Sequence, residues 1–211
     1  MLRILLLLFI AFAAATCGTK APPDPPPTPE RAAANNTVKS SEPVSESPPS
    51  SGVGQAALDK STANDECRKT DTGDNILIKE QTFAIDFAPF RHSCFVTSRK
   101  ADYDDPPLDS EFAIYTNGKR VFDFPDRFNG VTFGCWVEAV AFQDLNDDAL
   151  TDVIVVSKCS AKTAPYNENA VYRNNGTGFE TDINANYKLT EFRRAKDIVE
   201  FVKRNRSMFF D

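Results

Sequence analysis

Asp144, Asn146, Asp148 and Asp152 place side-chain oxygens at positions 1, 3, 5 and 9 of one short stretch, Asp144-Leu145-Asn146-Asp147-Asp148-Ala149-Leu150-Thr151-Asp152. Alternate residues of a tight loop can turn several carboxylates toward one point while a backbone carbonyl fills a gap. Calcium, a hard cation, takes six to eight oxygens at about 2.3–2.6 Å, so this spacing reads as a calcium loop. The expected donors are Asp144, Asn146, Asp148 and Asp152 through their side chains, and Leu150 through its carbonyl. An EF-hand would need Gly at position 6, a bidentate Glu at position 12 and a helix on each side. Ala149 and Val155 stand at those positions.

Nothing else in the chain assembles a catalytic set. His92 is the only histidine, beside an apolar strand, which suits a surface or core residue better than a general base. Glu138 lies on the strand leading into the loop and is a candidate outer-shell carboxylate. The acidic turn Asp102 to Pro107 reads as a solvated loop. The chain is therefore read as a non-enzyme.

The elements flanking the loop must hold it. Val137 to Phe142 and Val153 to Val156 are β-branched, aromatic and small apolar runs, which predicts strands and argues against helices. Trp136, Val140 and Phe142 are expected on one face of the first strand, with Val137, Ala139 and Ala141 on the other. The second is apolar throughout, the mark of a central strand. A strand, an Asp-x-Asn-x-Asp-x-x-x-Asp loop and a second strand resemble the FG-GAP (VCBS-type) repeat of integrin-like β-propellers, in which such a loop binds calcium. The resemblance covers residues 137–181, with Val171-Tyr172-Arg173-Asn174-Asn175-Gly176 and Phe179 as its continuation. It departs from the pattern at Ala149, where the repeat has Gly, and only one copy is visible, which excludes a full propeller.

The rest of the folded part reads as short strands. Asn75 to Glu80, Thr82 to Ala88 and Ser93 to Ser98 come first. Phe112 to Tyr115 and Arg120 to Phe124 then flank Asn117-Gly118, whose tolerance of positive φ favours a two-residue hairpin. Ala170 to Arg173 and Phe179 to Thr181 form a further hairpin. From Thr190, a candidate N-cap, apolar residues at Phe192, Ala195, Ile198, Val199 and Val202 recur with helical period. Lys203, Arg204 and Arg206 follow, where cations complement the helix macrodipole. The fold class is mainly β, an antiparallel meander of propeller-blade-like hairpins with a C-terminal α-helix.

Four of the five cysteines, Cys67, Cys94, Cys135 and Cys159, lie in this part without Cys-x-x-Cys spacing. An even set in an exported domain predicts disulfides. If the loop spans Asp144 to Leu150, Gln143 faces Thr151 and, counting outward, Cys135 faces Cys159. Facing residues of an antiparallel pair are close enough to bridge, which leaves Cys67 to join Cys94.

Ahead of the domain, Arg3 and the apolar run Ile4 to Phe12 read as a secretory signal, too short for a stable membrane span. Ala13-Ala14-Ala15 would suit ordinary cleavage. Ala14-Ala15-Thr16-Cys17 resembles a bacterial lipobox, which would make Cys17 a lipidated first residue and anchor the chain to a membrane. Gly18 to Asp65 is rich in Pro, Ser, Ala and Thr and too poor in apolar residues to offset its ordering entropy, so it reads as a semi-extended linker. The expected organisation is signal 1–16, linker 17–65 and calcium-loop domain 66–211, exported and facing the periplasm or the exterior.

A net charge of -6 gives nucleic acid no basic footprint. The partner expected is a protein or glycan outside the inner membrane. Signal, linker and loop together are also similar to periplasmic lipoproteins that neutralise lysozyme-type effectors, which implies an inhibitor or immunity protein as the alternative.

Overall fold

The structure is a computed structural model and describes residues 52–210. The segment expected to be a signal, Cys17 and most of the expected linker lie outside the described residues. Helix α1 (Gly52–Cys67) occupies the end of the segment expected to be linker. Ala56, Ala57, Leu58 and Lys60 are strong helix formers. Asn64 then fastens the helix to the domain, its Oδ1 accepting the Ala84 N–H at 2.7 Å.

Two antiparallel sheets follow. The first contains β1 (Ile76–Leu77), β2 (Phe83–Phe87), β3 (Phe90–Arg99), β4 (Glu111–Thr116) and β5 (Lys119–Asp123). β1 and β2 share one edge of β3, and β4 and β5 continue from the other. The first predicted strand shortens to β1, because residues Lys79–Gln81 turn as a 3-10 helix. The Asn117-Gly118 hairpin forms as read, with φ of 51° and 72° at its two central residues.

The second sheet contains β6 (Cys135–Gln143), β7 (Asp152–Cys159), β8 (Tyr166–Asn167), β9 (Ala170–Asn174) and β10 (Phe179–Glu180). Its main path runs β6-β7-β9-β10, so β7 is central, and β8 also pairs with β7. Three short or medium helices close the chain: α2 (Ile183–Asn186), α3 (Ala195–Arg204) and α4 (Ser207–Phe210). The class is the one expected: mainly β, built of antiparallel hairpins, with a C-terminal helix. No helix among the described residues is long and apolar enough to cross a membrane.

The sheets enclose a core of aromatic rings. Phe95, Phe112 and Phe124 from the first sheet and its end meet Tyr172 and Phe179 from the second. Phe124 lies 4.9 Å from Tyr172 and 5.0 Å from Phe179, centroid to centroid. Each ring fully buried contributes about 1.5–3 kcal/mol through removal from water. The other face of the second sheet carries Ile154, Val156 and Val171, which pack with Ile198 and Val202 of α3 in a second core. The run Val153 to Val156 of β7 is thus apolar throughout because it is covered on both faces.

β6 departs from simple alternation. Gln143 pairs with Asp152, not with Thr151, whereas Cys135 pairs with Cys159, and a bulge between Val137 and Ala139 absorbs the difference. Crossing the bulge reverses the parity, so Val137 joins Val140 and Phe142 at the aromatic core while Ala139 and Ala141 face α3. The expected grouping of Trp136 with Val140 and Phe142 is corrected accordingly. Contacts at Glu138 hold the bulge. Gln81 Nε2 donates to its carbonyl at 2.8 Å, Trp136 Nε1 donates to its carboxylate, and Lys158 Nζ lies 3.2 Å from the same group. Both expected disulfides are present, Cys67–Cys94 and Cys135–Cys159.

The C-terminal helix starts later than its periodicity suggests. Arg194, not Thr190, stands at the N-cap. The buried amide of Asn169 donates to the carbonyls of Leu189 and Phe192, and Asn167 donates to that of Thr190. Those carbonyls are held by side chains of the neighbouring sheet, so the helix cannot take them up.

Candidate functional site

The loop between β6 and β7 is built around Asp144. Its Oδ1 accepts the N–H groups of Asn146 at 3.3 Å and Asp147 at 2.7 Å, and its Oδ2 accepts that of Ala149 at 2.9 Å. Three donors on one carboxylate wind the chain back over its own start. Asn146 and Asp148 repeat the device on a smaller scale: Asn146 Oδ1 accepts the Asp148 N–H at 3.3 Å, and Asp148 Oδ1 accepts the Leu150 N–H at 2.8 Å. Asn146 Nδ2 donates to Asp148 Oδ2 at 2.9 Å, so these two side chains are neighbours.

The winding needs left-handed backbone at two places, Asp147 with φ 65° and Ala149 with φ 67°. An aspartate tolerates that region, whereas an alanine is strained in it. This is the position at which the FG-GAP pattern has glycine.

Asp152 does different work. It is wholly buried. Its Oδ2 accepts the Leu145 N–H at 3.0 Å, and its Oδ1 accepts the Asn174 N–H at 2.9 Å. One carboxylate therefore ties the start of the loop to the end of β9. Leu145 fills the second core beneath it.

The two acids titrate in opposite directions. Burial raises Asp144, but the hydrogen bonds from Ala149, Asp147 and other loop N–H groups outweigh it and hold the carboxyl below its usual range. For Asp152 burial dominates. The two N–H bonds offset part of it, the negative charges of Asp148 and Asp144 add to it, and the group is pushed up to about 6.

Among the described residues no three acidic, histidine or cysteine side chains converge as a metal-holding group. The structure thus gathers Asp144, Asn146 and Asp148 on one turn and aims Asp152 at backbone N–H groups. The donors are all oxygens, the chemistry that a hard cation takes.

A residue that the sequence placed only at a helix end closes the site. Arg206, beyond α3, reaches back so that its Nη2 lies 2.5 Å from Asp147 Oδ2 and its Nη1 3.4 Å from the Asn146 carbonyl. Its position near a helix end explained the charge without reference to the loop. No local pattern could have revealed a contact across some sixty residues, a separation of 59 between Arg206 and Asp147.

The remaining candidates are placed elsewhere. Glu138 sits at the bulge, six residues from Asp144 along an extended strand, roughly 20 Å at about 3.3 Å per residue. It serves the bulge and not the loop. His92 is exposed, with Nδ1 3.6 Å from Asp86 Oδ1. In the acidic turn, Arg99 Nη2 holds Asp104 at 2.6 Å. No protein-family model, curated protein or solved structure gives a significant match to the chain.

Proposed function

We propose that the chain is an exported binding module, anchored at a membrane through a lipidated Cys17, whose loop Asp144–Asp152 takes up calcium. The observation that carries the metal reading is the winding of the loop around Asp144, which leaves Asn146 and Asp148 side by side with oxygen donors. Asp144, Asn146 and Asp148 would hold the ion together with the Leu150 carbonyl, and Asp152 would complete or buttress the set from below. Bound calcium would neutralise an acidic turn that Arg206 compensates only at Asp147.

Two disulfides fit an oxidising, exported setting. Loops set on a rigid scaffold are where binding residues concentrate, and this domain has two cores and two covalent bridges beneath its loops.

Thermal melting of the soluble domain in calcium and in chelator tests the metal reading. A site formed only in the folded state adds about 2.7 kcal/mol at a hundredfold excess of calcium over Kd. Asp148→Ala should remove most of that difference, and equal midpoints for the parent domain in the two media would refute the site. The anchor is tested separately by Cys17→Ser, which should move the full chain from the membrane fraction to the soluble one. Unchanged fractionation would show that Cys17 holds no lipid.

A further inference from the structure

A recess of about 800 Å³ opens beside the β4–β5 hairpin and the turn that follows it. Its volume falls in the range of about 300–1,000 Å³ usual for ligand sites. Glu111, Arg120 and Asp123 form one wall. Arg120 binds both acids, lying 3.1 Å from Glu111 and in closer contact with Asp123, and Arg127 adds a second cation 3.4 Å from Asp123. These planar groups are fixed by one another, and their charges are mutually compensated. Donors and acceptors therefore stand next to each other without a strong net charge.

The recess is also lined by the turn Asp126 to Gly130, through Asp126, Arg127, Phe128 and Gly130, and its backbone is left-handed at Asp126, Phe128, Asn129 and Gly130. Phe128 is the outlier, because a bulky residue seldom occupies that region. Such strain persists only where the surroundings fix it, and it clusters at functional sites. Here the Phe128 ring packs edge-on against Phe112 at 5.6 Å. Asn129 is buried and bonded to Glu168, to the Asn169 carbonyl and to Asn186. Beneath the turn, the wholly buried Tyr172 hydroxyl has no hydrogen-bond partner among the described residues. At the rim stands Phe133, three-quarters exposed at 75%.

We infer that this recess is a glycan-binding site. Each hydroxyl of a sugar both donates and accepts, so a neutral ring needs alternating donors and acceptors held in place, as the Glu111–Arg120–Asp123–Arg127 array provides. The ring's C–H face needs a flat apolar platform, which Phe133 supplies. A charged ligand would meet compensating charges of either sign. The inference rests on the binding-module reading and names the class of its ligand, but it does not depend on calcium, since no residue of the recess belongs to the loop.

The test is capture by the folded domain on an array of short neutral, N-acetylated and uronic-acid oligosaccharides, in calcium and in chelator, followed by titration of the captured sugars. Neutral or N-acetylated rings should be retained in preference to uronic acids. Phe133→Ala should weaken binding at least about tenfold, the loss expected when an aromatic anchor that the ligand covers is truncated, and Phe133→Trp should keep it. Arg120→Gln should weaken it as well, with the melting temperature of each variant confirming an intact fold. No capture, or capture indifferent to Phe133→Ala, overturns the inference. A domain that calcium stabilises but that binds no sugar loses only the glycan site. One that binds sugar but ignores calcium loses only the metal.

Discussion

Ala149 shows how much one side chain can disclose. Position 6 of the loop calls for left-handed backbone, and an alanine occupies it with φ 67°. The chain tolerates the strain because the Ala149 N–H is held by Asp144 and the loop ends are tied by Asp152. Ala149→Gly should relieve a cost of about 1–2 kcal/mol and lose about 0.4–1 kcal/mol through the freer unfolded chain. The expected net is a stabilisation of between about 0 and 1.6 kcal/mol in chelator, read from denaturant unfolding. A destabilised variant would mean that the left-handed turn carries little strain. The candidate donors were legible because carboxylates at alternate positions need no partner outside the loop to be recognised. Arg206 and Asn174 were not, since their roles exist only once distant segments meet.

At the scale of the element, the β6–β7 hairpin separates what a pattern can disclose from what it cannot. Both strands and their pairing follow from composition and from the loop between them. The bulge at Glu138 does not, because one of the contacts that hold it comes from Gln81, in the 3-10 turn ahead of β2, a segment outside the hairpin. One inserted residue shifted the pairing near the loop by a step yet left Cys135 opposite Cys159. The start of α3 was hidden in the same way, since Asn167 and Asn169 reach across from the second sheet to hold the preceding carbonyls. The hairpin is covalently closed at the end away from the loop. Replacing both cysteines, Cys135→Ser with Cys159→Ser, should cost about 3.4 kcal/mol, the loop-closure value for a separation of 24 residues. Urea unfolding of the double variant measures it, and an unchanged midpoint would show that the sheet alone fixes these strands.

On the scale of the whole molecule, the two sheets share one aromatic core and should unfold together. Phe124 is one of the rings that join them, in contact with Phe95, Phe112 and Phe122 on one side and with Tyr172 and Phe179 on the other. Phe124→Ala should cost about 3–5 kcal/mol while keeping a single transition. Trp136 fluorescence, which reports the second sheet, and far-ultraviolet dichroism, which reports both, should then have coincident midpoints. Separate midpoints would reveal sheets that fold independently. The two-sheet arrangement was only partly readable. Alternation discloses strands and their apolar faces, but which face meets which is decided by long-range packing of phenylalanines that are interchangeable in sequence.

The Cys67–Cys94 bond joins the end of α1 to β3 and encloses β1 and β2 between its two ends. Consider a pull on the chain ahead of α1 while the domain is held at its recess. Once α1 is drawn straight, the force crosses the sulfur bridge into β3, the strand to which β1, β2 and β4 all pair. The 27-residue separation, about 90 Å of contour at roughly 3.4 Å per residue, carries no tension and cannot be drawn out. Under oxidising conditions the domain would meet such a load as a short, stiff coupling, and a reductant would add that hidden length to its extension.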